Sequence, residues 1–195
     1  MNRFKFIEDS FNESIIFDKE DINMDQVKIN YIDDGIPNFI VNDLDPLTGK
    51  MSNFYDEVQF PNYDDCEDYA SLYDKGINNL FTKKLDNEIG YGTRILELGC
   101  GTGQLSLFLS KSNREIFAVD ISNSSLKLGE NFRRRNEINN VYFMKMNVFD
   151  LKFNKNTFDY TISNGVLHHT KNAEEAFKCL VEVTKPGGIL VIGLY

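Results

Sequence analysis

The sequence predicts an α/β protein built on a doubly wound parallel sheet, and three observations carry that expectation. From Thr93 onward short apolar runs alternate with helical segments, the first run ends in three glycines at alternate positions, and 42% hydrophobic residues with 16 Phe in 195 residues suffice for one sizeable core. The runs are Arg94 to Leu98, Glu115 to Val119, Val141 to Met146, Phe158 to Ser163 and Ile189 to Leu194. Numbered one to five and joined by right-handed crossovers with one reversal, they predict the order 3-2-1-4-5. Leu105, Phe108 and Leu109 mark one intervening helix, Leu128 and Phe132 a second, and Ala173, Ala176, Phe177 and Leu180 a third. Asn172 with Glu175 caps the last, which Pro186-Gly187-Gly188 ends.

Ahead of this core (93–195) lie an acidic arm (1–50) and an aromatic linker with a capping helix (51–92). Val27, Ile29 and Tyr31 alternate at strand spacing, Asp33-Asp34-Gly35 turns the chain, and Ile36 to Val41 return as the second strand of a hairpin. Pro37 places that second strand at an edge. The stretch Asn42 to Gly49 is turn-rich, and Tyr55, Phe60 and Tyr63 are candidates for a lid over a pocket. Tyr69, Leu72, Tyr73, Ile77, Leu80 and Phe81 recur at helical spacing, predicting one amphipathic helix over about 65–86.

Charge and composition narrow the partners. Residues 1–68 hold 17 acids against 5 bases, a net of −12, and residues 69–195 hold 13 acids against 16 bases, a net of +3. An acidic third repels phosphates, which argues against non-specific nucleic-acid binding over the whole surface and leaves only a local RNA contact open. The run Arg133-Arg134-Arg135 fits a solvated face complementing a helix dipole better than a phosphate contact. No stretch reaches the roughly 20 apolar residues of a membrane span, and Glu8 and Asp9 stand where a signal peptide needs an apolar run, so a cytoplasmic protein is expected. Cys66, Cys100 and Cys179 are odd in number and widely spaced, indicating neither a disulfide framework nor a metal site.

In a sheet of this order the ligand crevice lies beyond the carboxyl ends of runs one and four. Run one ends Glu97-Leu98-Gly99-Cys100-Gly101-Thr102-Gly103, and run four ends Ser163-Asn164-Gly165. The dinucleotide fingerprint G-x-G-x-x-G/A fails in either register, ending on Gln104 or Ser106. Glu97 beside the turn disfavours a pyrophosphate and favours a ligand bearing an amine and a sulfonium. Asp120, about 20 residues past the first glycine, is placed to accept from a ribose diol. Asn147 and Val148, at the end of run three, can read an adenine edge.

The segments ILELGCGTGQLS (95–106), AVDIS (118–122), MNVFDLKF (146–153), FDYTISNGVLHH (158–169) and VTKPGGILVIG (183–193) together resemble class I S-adenosyl-L-methionine-dependent methyltransferases, Rossmann-like in fold, and within them the small-molecule type 11 group. The resemblance implies that Glu97 and the loop Gly99, Cys100, Gly101 and Gly103 surround the methionine part of the cofactor. It further implies that Asp120 takes the ribose, Ile121 packs on the adenine, Asn147 accepts from the adenine amine where the family often has Asp, and Asn164 meets the methionine end. The acceptor is then expected to be a small molecule. A cofactor-binding module without catalysis and an NAD-dependent oxidoreductase are the alternatives.

Methyl transfer needs positioning more than proton chemistry, and if a base acts, His168 is the first candidate, with His169 beside it. Tyr31 to Pro37 is similar to part of a zinc-ribbon-like module that precedes some methyltransferases, but without its cysteines, so no metal is expected there. The antiparallel strands that end this fold in the family are absent from the sequence. Residues 189–195 are therefore expected to leave an apolar edge open to self-association, or the chain to be a fragment.

Overall fold

The computed structural model describes residues 30–31, 35–40, 44–64 and 66–194, so most of the predicted arm and its first strand lie outside the described residues. Seven strands make one sheet: β1 (Asn30–Tyr31), β2 (Pro37–Asn38), β3 (Arg94–Leu98), β4 (Glu115–Asp120), β5 (Val141–Lys145), β6 (Phe158–Asn164) and β7 (Thr184–Gly193), in the order β1-β2-β5-β4-β3-β6-β7. The five core strands are all parallel and follow the predicted 3-2-1-4-5, with two short strands added beyond β5. Pro37 does not sit at the edge. β1 takes that place, and the β2–β5 joint runs through the Phe39 N–H to the Lys145 carbonyl (2.9 Å), so no N–H is demanded of Pro37 there. β7 begins at Thr184, earlier than predicted, because Thr184 pairs with Phe158 before Pro186 and the glycines.

Both faces of the sheet are covered, which is why its strands read as almost unbroken apolar runs. Ile95, Ile116, Ala118, Val141, Phe143 and Ile162 face one core, and Leu96, Leu98, Phe117, Val119, Met144 and Phe158 the other. The first is closed by α2 (Tyr69–Asn78), α3 (Leu80–Glu88), α4 (Gln104–Phe108) and α5 (Asn123–Arg135), and the second by α6 (Ala173–Val183) and the chain after β5. The single helix predicted over 65–86 is two, because the Asn79 side chain accepts from the Phe81 and Thr82 N–H groups and starts a new helix. α2 crosses α4 at Gly76, where an added Cβ would lie 2.1 Å from the Phe108 ring.

The stretch predicted as turns and linker contains a further helix, α1 (Pro46–Glu57). Asp45 accepts from the Thr48 N–H (3.1 Å) and hydroxyl (2.6 Å), and Pro46 occupies the first turn, where its missing N–H costs nothing. The expected boundary between 50 and 51 thus falls inside a helix. α1 docks on the far end of β4: Ser52 donates to the Ile121 carbonyl (3.0 Å), and Asp56 accepts from the Ser122 hydroxyl (2.8 Å) and the Ser124 N–H (3.0 Å). An acid at the N-terminus of α5 is the favourable sign for its dipole.

The arginine run is a solvated face at Arg134 and Arg135, which are exposed in the last turn of α5, but not at Arg133. Arg133 is buried and makes a two-pronged pair with buried Glu130 (2.8 and 2.9 Å), to which Arg134 adds a third bond (2.7 Å). Arg114 is buried as well. It donates to Asp86 (2.5 Å) and to the carbonyls of Asp86 and Ile89 (2.8 and 2.6 Å), closing the end of α3 against the sheet. Replacing it strands a carboxylate and two carbonyls. Arg114→Met is expected to lower unfolding free energy by about 3–5 kcal/mol, read as a fall in the urea midpoint at constant slope. A loss below about 1 kcal/mol, the size of an exposed pair, contradicts this assignment.

Candidate functional site

The glycine turn is fastened to the end of β4. Gly99 and Cys100 both donate their N–H to the Val119 carbonyl (2.7 and 3.1 Å). One oxygen of Asp120 accepts from the Gly101 N–H (2.8 Å), the other from the Ser122 N–H (2.9 Å). Gly101 has φ of 55°, and an ideal Cβ on it would sit 2.2 Å from the Phe60 carbonyl oxygen, so glycine is needed for both conformation and clearance. Residues 60–63 are clasped onto the turn: Thr102 donates to the Pro61 carbonyl (2.5 Å), Gln104 to that of Asn62 (2.6 Å), and the Tyr63 hydroxyl to that of Thr102 (2.7 Å).

A cleft of about 260 Å³ opens to solvent at the carboxyl ends of β3 to β6, at the predicted switch point. Seven predicted residues line it: Gly99, Gly101, Asp120, Ile121, Asn147, Val148 and Asn164. Three do not. Glu97 is buried behind the turn, accepting from the Ser106 hydroxyl (2.5 Å). Cys100 is buried, and burial pushes its thiol well above the usual range. Gly103 faces the core, where an added Cβ would lie 2.3 Å from the Phe143 ring. His168 is not in the lining either. His169 lines the cleft, with the His168 ring tilted against it at 45° and the centroids 3.9 Å apart. Of the lid residues Tyr55 and Phe60 reach the cleft, whereas Tyr63 stacks on Phe132 at 4.6 Å.

The sequence marks Tyr55 and Phe60 of the roof but not its α1 residues Thr48 and Met51. Thr48 and Met51 of α1 line the cleft with Tyr55, and Thr170 and Val166 complete the wall that carries His169. The signal for α1 was present in Asp45-Pro46 followed by Thr48, a capping acid and a first-turn proline. Asn147 has a second duty: its side-chain oxygen accepts from the Phe149 N–H (3.1 Å), capping a 3-10 turn over Val148–Asp150. One lone pair remains for a ligand.

The electrostatics suit a cation. Burial raises the Glu97 carboxyl to about 7, against the Ser106 bonds that pull it down, and the neighbouring Asp120 charge adds to the rise. Burial likewise raises Asp120, opposed by the N–H groups of Ser122 and Gly101. No Lys or Arg lines the cleft among the described residues, and nearby Lys145 gives its ammonium to the Asn123 side chain (2.8 Å). Leu98, Ile121, Met146 and Val148 offer apolar surface for a flat ring. A half-buried acid in the lining, a buried one behind the turn, an apolar slot and, among the described residues, no lining Lys or Arg are compatible with adenosylmethionine.

Comparison with known proteins agrees. A family described as a methyltransferase domain matches residues 89–195. A demethylmenaquinone methyltransferase of Clavibacter sepedonicus is 32% identical over 151 residues, 77% of this chain and 60% of the relative. A ubiquinone/menaquinone biosynthesis C-methyltransferase UbiE of Vibrio cholerae is 33% identical over 105 residues, 52% and 40% of the two chains. Among the curated relatives compared, this chain spans between 25% and 60% of their own length. The PH0226 protein of Pyrococcus horikoshii superposes with a TM-score of 0.58 at 27% identity, over 72% of this chain and 64% of that one. A SAM-dependent methyltransferase of Aquifex aeolicus shares the fold, with a TM-score of 0.55 at 19% identity, over 64% and 71%. No helix among the described residues is long and apolar enough to cross a membrane. With the family match covering the whole sheet core and the cleft at its switch point, the chain belongs to the methyltransferase-domain family and has the class I adenosylmethionine-dependent methyltransferase fold.

Proposed function

We propose that this chain carries out adenosylmethionine-dependent methyl transfer to a small-molecule acceptor. The observation that carries the reading is the cleft itself: Asp120 in its lining, Glu97 behind it, and, among the described residues, no Lys or Arg to meet a phosphate. That pattern counts against an NAD-dependent oxidoreductase, whose ligand brings a pyrophosphate. The relatives' names support methyl transfer as the activity.

When bound, adenosylmethionine supplies a methyl group already activated by its sulfonium charge. The chain's task is then to orient two reactants and keep water away. Asp120 fixes the nucleoside through its diol, held rigid by its bonds to Gly101 and Ser122. Ile121 and Val148 grip the ring, while Tyr55 and Phe60 narrow the mouth. Holding donor and acceptor in line supplies about 7–11 kcal/mol of the barrier, so orientation is the main contribution of these residues.

Asp120→Ala is expected to weaken adenosylmethionine binding on the order of 10–100-fold in calorimetry, the loss of charge-assisted bonds worth about 1.5–3 kcal/mol. Unchanged affinity overturns the ribose assignment. Activity is tested by offering radiolabelled donor to lipid, RNA, protein and small-molecule fractions, where label in the small-molecule fraction is expected. Label confined to RNA or protein contradicts the acceptor class.

Glu97 gives a pH signature in the unliganded chain. Its carboxyl ionises at about 7 when folded and near the ordinary 4.5 when unfolded. The unfolded state therefore sheds its proton first, and stability falls as pH rises from 4.5 to 7, by about 3 kcal/mol from this group. Below 4.5 the difference vanishes. Glu97→Gln should remove its share of the decline and leave the part due to Asp120. Parallel stability-against-pH curves for the two proteins refute the buried carboxyl.

A further inference from the structure

At the far ends of β4 and β5 stands a half-buried cation that the positioning account leaves unused. Lys145 is not in the cleft lining, but it is the direct partner of Asp120 in the parallel register of the two strands. Side chains alternate along a strand, and Ile116, Ala118, Val141 and Phe143 face the core under α5, so Asp120 and Lys145 leave their strands on that same face. There they meet the start of α5. The Lys145 ammonium donates to the Asn123 side chain (2.8 Å), while Ser122 donates its N–H to Asp120 (2.9 Å) and its hydroxyl to Asp56 of α1 (2.8 Å). Two carboxylates are fixed on one serine, with one cation beside them.

We infer that Lys145 is a positioning residue for the cofactor: its charge keeps Asp120 a carboxylate, ready to accept from the ribose diol. The inference rests on the methyl transfer proposed above. A cation at the start of a helix has the wrong sign for the dipole, so packing α5 does not by itself call for a lysine there. The acids do. Like charges in one half-buried place disfavour each other's ionisation, and an opposite charge favours it. Burial first, and the Asp56 charge after it, push the Asp120 carboxyl up against the N–H groups of Ser122, Gly101 and Ile121. Burial pulls the Lys145 ammonium down, and the charges of Asp56 and Asp120 hold it up, an attraction that is mutual. Asp120 is raised even with this cation present, and its removal adds to the rise. The titratable and charged groups facing Asp120 are Asp56 on α1, Lys145 on β5, Glu97 on β3 and Cys100 in the glycine turn.

The charge state decides what Asp120 can do. As a carboxylate it only accepts, taking the Gly101 N–H on one oxygen and the Ser122 N–H on the other and keeping lone pairs for two hydroxyls. Once protonated, one oxygen becomes a donor, and the remaining bonds lose their charge assistance and about half their strength. The Lys145 ammonium bonds Asn123 and forms no ion pair among the described residues, so it acts on Asp120 through its field. Lys145→Gln removes that charge and leaves a donor for Asn123.

The test is carboxyl-carbon NMR on the intact chain without ligand, with Asp120→Asn to assign the signal. Asp120 is expected to titrate at a pH higher by about half a unit or more in Lys145→Gln than in the wild type. Lys145→Met should show the same shift, and Lys145→Arg should follow the wild type. An unchanged titration in both uncharged variants overturns the inference and leaves the methyltransferase reading intact. A second arm is calorimetry with adenosylmethionine from about pH 5 to about pH 8.5. At the acid end Lys145→Gln should bind about threefold more weakly than the wild type or worse, the fold-change of half a unit. At the alkaline end it should equal or exceed the wild type, because Asp120 is charged in both and one positive charge near a cationic ligand has gone. A loss of the same size at every pH is the mark of a loosened α1 and α5, and also overturns the inference. If the wild type binds no adenosylmethionine at any pH, the methyltransferase reading fails, whatever the carboxyl signal shows.

Discussion

The Asp120 carboxylate holds the site together. It stands at the end of β4, takes the Gly101 N–H with one oxygen and the Ser122 N–H with the other, and so ties the turn after β3 to the turn before α5. Burial disfavours its charge and raises its carboxyl, and the two N–H groups offset part of that cost. A half-buried acid with lone pairs still open is an arrangement a ligand completes. The set of the glycine turn and the proposed preference for a cationic ligand both follow from where this one charge is fixed.

α1 adds a second constraint from the opposite side. Asp56 reaches the start of α5 through Ser122 and Ser124, and Ser52 reaches the Ile121 carbonyl, so the roof is bonded to the same few residues that form the floor. Residues 60–63 then fold back over the glycine turn through Thr102 and Gln104. The acidic character of the N-terminal third thus has a local use at Asp45 and Asp56, both capping positions.

Much of this was legible in the sequence. The core strands announced themselves because burial on both faces forces apolar residues at nearly every position, and the glycine turn and Asp120 stood at the spacing a sheet crevice needs. What was not legible depended on side-chain partners. α1 has a broken apolar pattern and a glycine at position 49, and only Asp45-Pro46 betrayed its start. The break at Asn79 turns on one side chain capping forward. Glu97 looked like a ligand-facing acid, yet strand alternation points it toward α4 and Ser106. Adjacent histidines in a 3-10 turn diverge by about a third of a revolution, which sequence alone cannot resolve into His169 in the cleft lining and His168 outside it.

In the function proposed above, two acids and, among the described residues, no lining Lys or Arg select a cationic nucleoside over one carrying phosphates. The most direct measurement is side-by-side calorimetric titration of the chain with adenosylmethionine and with NADH at pH 7.5. Saturable binding of adenosylmethionine with no heat from NADH is the predicted result, and NADH binding as tightly as adenosylmethionine would contradict the account.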